Sequence, residues 1–291
     1  MVRFASTCSA AILALASFAS AVAVPANSGC HKEGAGASSM TPAHVASSPP
    51  VASPAADSTA PVASSPPNAS SPGTSSPPDT AANGQIFKGD TTWYGESCGE
   101  EECWQKGACA FVDYTLPATI DGSTCVSEVI WNSSYHCGAC VEITYQGKKK
   151  IAMITNKTGG DSVHLDLSPN MFSNLEDKSL GEITTNWQYV ACPITTPLEI
   201  RMHGGASQWW FAATVVNARL HTAKLEVSSD GGNTWKATTR NVNNFFTFPG
   251  SGGTNTPTAW VRVTSDTGSE VVVKDVDLTS NKSTKGASNY A

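Results

Sequence analysis

Two carboxylates follow a Gly-Gly turn within residues 156–168 of the sequence. Asp161 comes directly after Gly159 and Gly160, and Asp166 lies in the alternating stretch 163–167. Strand alternation predicts that the two leucines of that stretch share one face and that Asp166 points the other way, into a groove. An acid in that position can protonate a glycosidic oxygen, but hydrolysis also needs a second carboxylate opposite it. Asp161 could instead only bond the backbone of its own turn.

Adjacent tryptophans, Trp209 and Trp210, form the second feature with possible chemistry. Neighbouring strand residues point to opposite faces, so one indole is expected to pack inward and the other to stand in solvent, unless a bulge turns both outward. An exposed indole can stack on the C–H face of a sugar ring. The alternative is that both rings belong to the core.

The first 23 residues have the layout of a secretory signal peptide, and no later stretch is long and apolar enough to cross a membrane. We therefore expect a secreted, extracellular protein that forms disulfides. Cys30 lies apart from the other candidates, and spacing alone leaves the pairing open. A zinc site at Cys137 and Cys140 would need four ligands, so no metal is expected. The disulfide candidates are Cys98, Cys103, Cys109, Cys125, Cys137, Cys140 and Cys192.

Composition divides the rest of the chain into three parts. Residues 24–83 are a Ser, Pro, Ala and Thr-rich linker, which cannot bury a core and is typical of an O-glycosylated stalk. Short strands separated by Gly-rich turns then predict an all-β fold, with one β domain over 84–196 and a second over 197–291 that ends in a loose tail. Gln146-Gly147 predicts a hairpin turn, and Ser168 followed by Pro169 predicts the start of a short helix.

Charge excludes some partners. Only 14% of the residues are charged and the net charge is −6, which argues against binding nucleic acid. A neutral polysaccharide suits this balance better. We expect a monomer that needs no cofactor and does not associate with membranes.

Six motifs, taken in their order along the chain, make it resemble the expansins, most closely the expansin-like proteins of microbes and fungi. The resemblance covers residues 84–278. It implies a six-stranded double-psi β-barrel followed by an immunoglobulin-like β-sandwich that is a carbohydrate-binding module. Members of that family loosen cellulose-containing walls without net hydrolysis. The motifs are TTWYG at 91–95, GACAF at 107–111, HCGAC at 136–140, HLDLS at 164–168, WQYVACP at 187–193 and GASQWW at 205–210.

The resemblance also implies roles for individual residues. Asp166 matches the acid that the family requires, Thr92 and Tyr94 match residues lining the groove, and Trp209 and Trp210 match the stacking aromatics. We expect Asn156, which stands where microbial members often carry Asp, to bind a groove hydroxyl. A third stacking aromatic is displaced or missing near 242–245, where Phe245 or Phe246 could substitute.

The segment 156–166 departs from that pattern and is similar to the family-45 endoglucanases, which share the barrel. There Asp161 would be the assisting carboxylate and Asp166 the catalytic acid, and counting from Thr92 puts Glu96 at the place of the base. Three hypotheses follow: a protein that loosens cellulose or β-glucan without hydrolysis, a weak inverting endoglucanase, and a purely carbohydrate-binding protein.

Four asparagines lie in N-x-S/T sequons, so we expect a glycoprotein. A glycan on Asn156 would intrude on the groove, and we predict that this site is unmodified. The sequons are at Asn68, Asn132, Asn156 and Asn281.

Overall fold

The structure, a computed structural model, describes residues 84–95 and 100–291. The predicted signal peptide and linker, Cys30, Glu96 and Cys98 lie outside the described residues, as does the side chain of Cys103.

Six strands close into a barrel in the order β1-β5-β2-β4-β3-β6. The pairs β1–β5 and β2–β4 are parallel, and the other neighbours are antiparallel. The all-β fold with a six-stranded barrel is therefore as predicted. The strands are β1 (Phe87–Trp93), β2 (Gly122–Ser127), β3 (Cys140–Tyr145), β4 (Lys148–Thr158), β5 (Leu165–Leu167) and β6 (Glu182–Val190).

The hairpin between β3 and β4 shows how local sequence sets this topology. Gln146 and Gly147 have φ values of 47° and 81°. Positive φ at both central residues is the geometry of a tight two-residue hairpin turn, and a glycine adopts it without strain. The predicted hairpin is confirmed, with Tyr145 opposite Lys148.

Helices in the described residues are short: α1 (Glu100–Gln105), α2 (Glu128–Trp131), α3 (Pro169–Leu175) and a 3₁₀ turn (Lys178–Leu180). The predicted helix after Ser168 is confirmed, with Pro169 in its first turn. The Ser168 hydroxyl does not cap it, however. The hydroxyl oxygen accepts from the Ser123 amide at 3.2 Å instead, which ties the start of α3 to β2.

A two-sheet β-sandwich follows, with sheets ordered β10-β9-β13-β14 and β11-β12-β8-β7-β15. Its first strand begins at Glu199, eight residues or so after the barrel ends. Its strands are β7 (Glu199–Met202), β8 (Ala212–Val216), β9 (Thr222–Ser228), β10 (Lys236–Ala237), β11 (Thr239–Arg240), β12 (Phe246–Thr247), β13 (Thr258–Ser265), β14 (Glu270–Asp277) and β15 (Ser283–Lys285).

The C-terminal segment differs from the loose tail expected from the sequence. Strand β15 pairs with β7, and Tyr290 is only 2% exposed. The Tyr290 hydroxyl lies 2.9 Å from Thr222 Oγ1. Burial of this ring and the added strand pairing hold the end of the chain against the sandwich.

Disulfides brace the barrel. Cys109 bonds Cys137 and Cys140 bonds Cys192, and Cys125 is also disulfide-bonded. Because Cys137 and Cys140 have different partners, they do not form a redox pair with each other. The expected disulfides are thus confirmed for these five cysteines. Within the described ranges, no cluster of His, Cys, Asp or Glu could hold a metal ion, and no helix has the length and hydrophobicity of a membrane span.

Arg240 of the sandwich joins the two modules. Its guanidinium donates to the carbonyls of Ser134 and Tyr135 in the barrel, at 3.0 and 2.9 Å, and to the carbonyl of Thr222 in β9. Burial lowers its pKa to about 10, so it remains charged at neutral pH. One side chain therefore satisfies carbonyls on both sides of the junction.

Candidate functional site

Asp166 lies in the middle of β5, between β1 and β2. The register places it beside Thr92 of β1 and opposite Cys125 of β2. Its neighbours Leu165 and Leu167 are fully buried in the barrel core, as alternation predicted. Thr92 Oγ1 donates to Asp166 Oδ1 at 2.7 Å. The residue is only 2% exposed, so its carboxyl is more enclosed than the open groove position expected from the sequence.

His164 joins this pair. Its Nε2 lies 3.2 Å from Thr92 Oγ1, and its ring is half-buried. This histidine was not among the predicted site residues. A signal was available, because residues i and i+2 of a strand share a face, so an outward Asp166 implied an adjacent His164.

Tyr94 follows β1 on the same side of the barrel. Its hydroxyl lies 2.5 Å from Ser123 Oγ and its amide donates to the Leu167 carbonyl at 3.0 Å. At 6% exposure, most of the ring is enclosed. The structure thus holds Tyr94 by both its backbone and its hydroxyl, and a groove-lining role for its edge stays a prediction.

Asn156 lies near the end of β4 and is only 3% exposed. Its Oδ1 accepts from the Ala108 amide at 2.8 Å. The adjacent Gly107 has no room for a side chain, because a Cβ there would lie 2.9 Å from the Asn156 side chain. Asn156 therefore fixes the 107–108 loop. Its enclosure leaves no room for a glycan in the folded barrel, and binding of a sugar hydroxyl stays a prediction.

Asp161 is exposed, at the turn between β4 and β5. Its Oδ1 accepts from the Val163 amide at 2.9 Å, which is the local turn bond that the sequence left open as an alternative. Assistance to Asp166 is not tested by this contact and stays a prediction. Glu96, the possible base, lies outside the described residues.

The two tryptophans form part of a tight turn rather than a strand. Ser207 and Trp210 exchange backbone hydrogen bonds at 2.9 and 3.1 Å, which puts Trp209 at the tip with 65% of its surface exposed. Trp210 is half-buried, and its ring packs edge-on against His203 at 5.1 Å. Gly253 packs beneath the turn, where a Cβ would collide with the Gln208 carbonyl oxygen.

His203 also contacts Phe245, and the two ring centroids lie 4.7 Å apart. Partial burial lowers the pKa of His203, which favours the neutral ring. Phe246, by contrast, is 2% exposed and faces the sandwich core. Of the two phenylalanines considered as a substitute third aromatic, Phe245 is the one that contacts His203, which also contacts Trp210. We call Trp209, Trp210, His203 and Phe245 the aromatic surface.

These features define the class: a two-module all-β protein with a buried carboxylate in a closed barrel and an aromatic surface on an adjoining sandwich. No family model matches the chain. In sequence it is 29% identical over 129 residues to expansin-like protein 2 of Dictyostelium discoideum and 25% identical over 128 residues to expansin-like protein 1 of the same organism. Those alignments cover 42% and 41% of this chain, but only 31% and 45% of the relatives.

In fold, the chain is similar to an expansin of Clavibacter michiganensis, with a TM-score of 0.62 and 24% identity, over 71% of this chain and 98% of that one. A point mutant of that expansin in complex with cellohexaose gives a TM-score of 0.61 at 23% identity and the same coverage. The resemblance to expansins drawn from the sequence is confirmed: the chain is expansin-like, with a double-psi barrel.

Proposed function

We propose that the protein is secreted, binds cellulose or a related β-glucan, and loosens wall polysaccharide without hydrolysing it. The observation that carries this proposal is the pairing of Thr92 with Asp166. It holds the enclosed Asp166 carboxyl in the barrel, while the exposed neighbour Asp161 is bonded to its own turn. The similarity to expansin-like proteins supports the same function.

In this proposal Asp166 gives a proton or a hydrogen bond to an oxygen of the glucan chain. Thr92 restricts rotation of the carboxyl, so the acid meets the sugar in a fixed direction. Weakening follows because a glucan oxygen bound to the protein no longer bonds the neighbouring chain. Inverting hydrolysis also needs a base across the groove. In this proposal Glu96 does not act as that base, so no water is activated and the glucan chain stays intact.

Affinity in this proposal comes from the aromatic surface. Trp209 offers an open indole face, and Trp210, His203 and Phe245 lie next to one another by ring contacts of 5.1 and 4.7 Å. Such rings remove a large apolar area from water when a flat sugar covers them. The protein acts as a monomer, since one chain carries both the acid and the aromatic surface.

A paired assay on one cellulose sample tests the proposal. Soluble reducing ends and the tensile strength of cellulose sheets are measured together, with the wild-type protein and the Glu96→Gln variant. We expect both proteins to weaken the sheets equally with no sustained sugar release. Sugar release that continues over time and disappears in Glu96→Gln would establish the inverting endoglucanase instead.

The third hypothesis, a pure carbohydrate-binding protein, is separated by adding an Asp166→Asn variant to the same assay. It predicts binding without mechanical weakening, or weakening that survives every change at Asp166. Our proposal requires that weakening and Asp166 be linked.

A further inference from the structure

Three polar groups line up in the barrel: the His164 imidazole, the Thr92 hydroxyl and the Asp166 carboxyl. Nε2 of the histidine lies 3.2 Å from Thr92 Oγ1, and Oγ1 lies 2.7 Å from Asp166 Oδ1. Thr92 is on β1, whereas His164 and Asp166 flank Leu165 at the start of β5. The parallel β1–β5 register brings the three together.

The number of hydrogens available fixes which group donates in each of these two hydrogen bonds. A threonine hydroxyl has one hydrogen, and here Thr92 donates it to Asp166. Toward His164 the same oxygen can therefore only accept. Nε2 must then carry a hydrogen, and a neutral imidazole with Nε2–H has a bare Nδ1. The arrangement selects one of the two neutral tautomers of His164.

The backbone holds the imidazole in this direction. Gly160 has φ +99° and packs so closely on His164 that a Cβ there would lie 2.7 Å from the ring Cγ. Ser127 Oγ donates to the Gly160 carbonyl at 3.1 Å, and the His164 amide donates to the Asp161 carbonyl at 3.3 Å. Only a glycine at position 160 allows the turn and the ring to approach in this way.

We propose that His164 is a positioning residue for Asp166 and acts through Thr92. By donating from Nε2 it occupies one of the two lone pairs of the Thr92 oxygen, so the threonine hydrogen points to Oδ1 and the carboxyl is held in one orientation. Without that donor the hydroxyl can rotate to other acceptors and Asp166 gains freedom. The expected effect on glucan weakening rests on the proposed function. The donor directions of the hydrogen bonds from His164 to Thr92 and from Thr92 to Asp166 do not.

Histidine tautomers in the full-length protein test the direction. Imidazole nitrogen NMR at about pH 8, well above the ordinary histidine pKa, distinguishes Nε2–H from Nδ1–H. The His164→Gln spectrum assigns the signal by its disappearance. We expect the Nε2–H form in wild type and in Thr92→Ser, and a mixture in Thr92→Val, which keeps the shape but lacks the acceptor. A wild-type Nδ1–H form, or no change in Thr92→Val, overturns the inference.

Two substitutions at position 164 test the consequence. Gln places an amide N–H near the position of Nε2, whereas Leu fills a similar volume with no donor. We expect His164→Gln to keep the weakening rate within about threefold, and His164→Leu to lose on the order of tenfold, with equal cellulose binding and unfolding midpoints. Equal rates for Gln and Leu overturn the positioning role.

The two arms separate the inference from the proposed function. If the wild-type protein weakens no cellulose, the proposed function fails. The tautomer of His164 then still shows whether His164 donates to Thr92. If weakening occurs but the tautomer preference is absent, the proposed function stands and the role of His164 is wrong.

Discussion

The barrel site and the aromatic surface of the sandwich are built in opposite ways. In the barrel, Thr92 and Asp166 are 8% and 2% exposed and bonded to each other. On the sandwich, Trp209 has 65% of its surface in solvent. A buried polar group must be paired, and pairing fixes its direction. An exposed ring has no such constraint and offers area. The difference suggests that the barrel supplies chemistry and the sandwich supplies affinity.

The largest expected effect separates these two contributions. Asp166→Asn keeps the shape of the side chain but removes the acid, so we expect weakening of cellulose sheets to fall by about 100-fold or more. Binding to cellulose is expected to stay within about twofold, because the aromatic surface is unchanged. Tensile creep and a binding isotherm on the same cellulose measure the two.

The matched control for that variant is Asp90→Asn on the same strand as Thr92, where the carboxylate is exposed and accepts from Thr184 Oγ1 at 3.2 Å. It should behave as wild type. If Asp166→Asn weakens cellulose as fully as wild type with intact binding, the barrel carboxyl does not supply the chemistry.

The second prediction concerns the junction that holds the two regions together. Arg240→Met leaves the Ser134, Tyr135 and Thr222 carbonyls without their donor. Unpaired buried acceptors cost about 1–3 kcal/mol each, less what water recovers, so we expect the free energy of unfolding to fall by roughly 3 kcal/mol. Denaturant titration measures it.

Arg262→Met is the control for the junction, because Arg262 pairs with Glu226 on the sandwich surface at 2.7 Å. We expect that change to cost less than about 1 kcal/mol. If the two arginine variants are equally stable, Arg240 is not what fastens the sandwich to the barrel.

Acid pH should act on the same junction. Burial first, and the charge of Arg240 second, lower the pKa of His136 to about 4. Its ring stacks on Tyr189 at 5.2 Å, and His221, whose pKa burial also lowers, lies 6.3 Å away. The folded state thus binds the proton more weakly than the unfolded state.

The sign of the pH effect follows from that difference. The contribution of neutral His136 to the free energy of unfolding is complete above the ordinary histidine pKa of about 6.5. It is lost as pH falls toward 4, by roughly 3 kcal/mol. Denaturant titrations from pH 7 to pH 4 measure the loss. His136→Phe removes this titration and should flatten the slope; an unchanged slope would show that carboxylates elsewhere dominate.

Local signals in the sequence predicted the parts of the fold that depend on neighbours along the chain. The turn at Gln146-Gly147 and the start of α3 at Pro169 each follow from the backbone preferences of a few residues. The face of Asp166 followed from alternation. How enclosed Asp166 is depends on β1, which is distant in sequence, and alternation cannot report it.

Contacts across long sequence separations were not predictable in this way. Arg240 reaches Ser134 over 106 positions, and nothing near either residue signals the other. The packing of Phe245 beside His203 and the pairing of β15 with β7 were also not predicted, because these residues too are distant in sequence. The hydrogen bond from the Ala108 amide to Asn156 Oδ1 also joins residues 48 positions apart, and neither residue's neighbours in sequence indicate it.

The smallest expected effect completes the comparison from the side of the sandwich. Trp209→Ala combined with Trp210→Ala removes the two largest rings of the aromatic surface, and interface tryptophans commonly contribute about 2 kcal/mol. We expect cellulose affinity to fall about 30-fold, measured by a binding isotherm, while weakening at saturating protein stays close to wild type because Asp166 is untouched. Trp260→Ala is the matched control, since that half-buried ring lies on the other sheet beneath Lys274. If the double variant abolishes weakening even when the cellulose is saturated, stacking on the sandwich is part of the loosening step, and affinity and chemistry are not divided between the two modules.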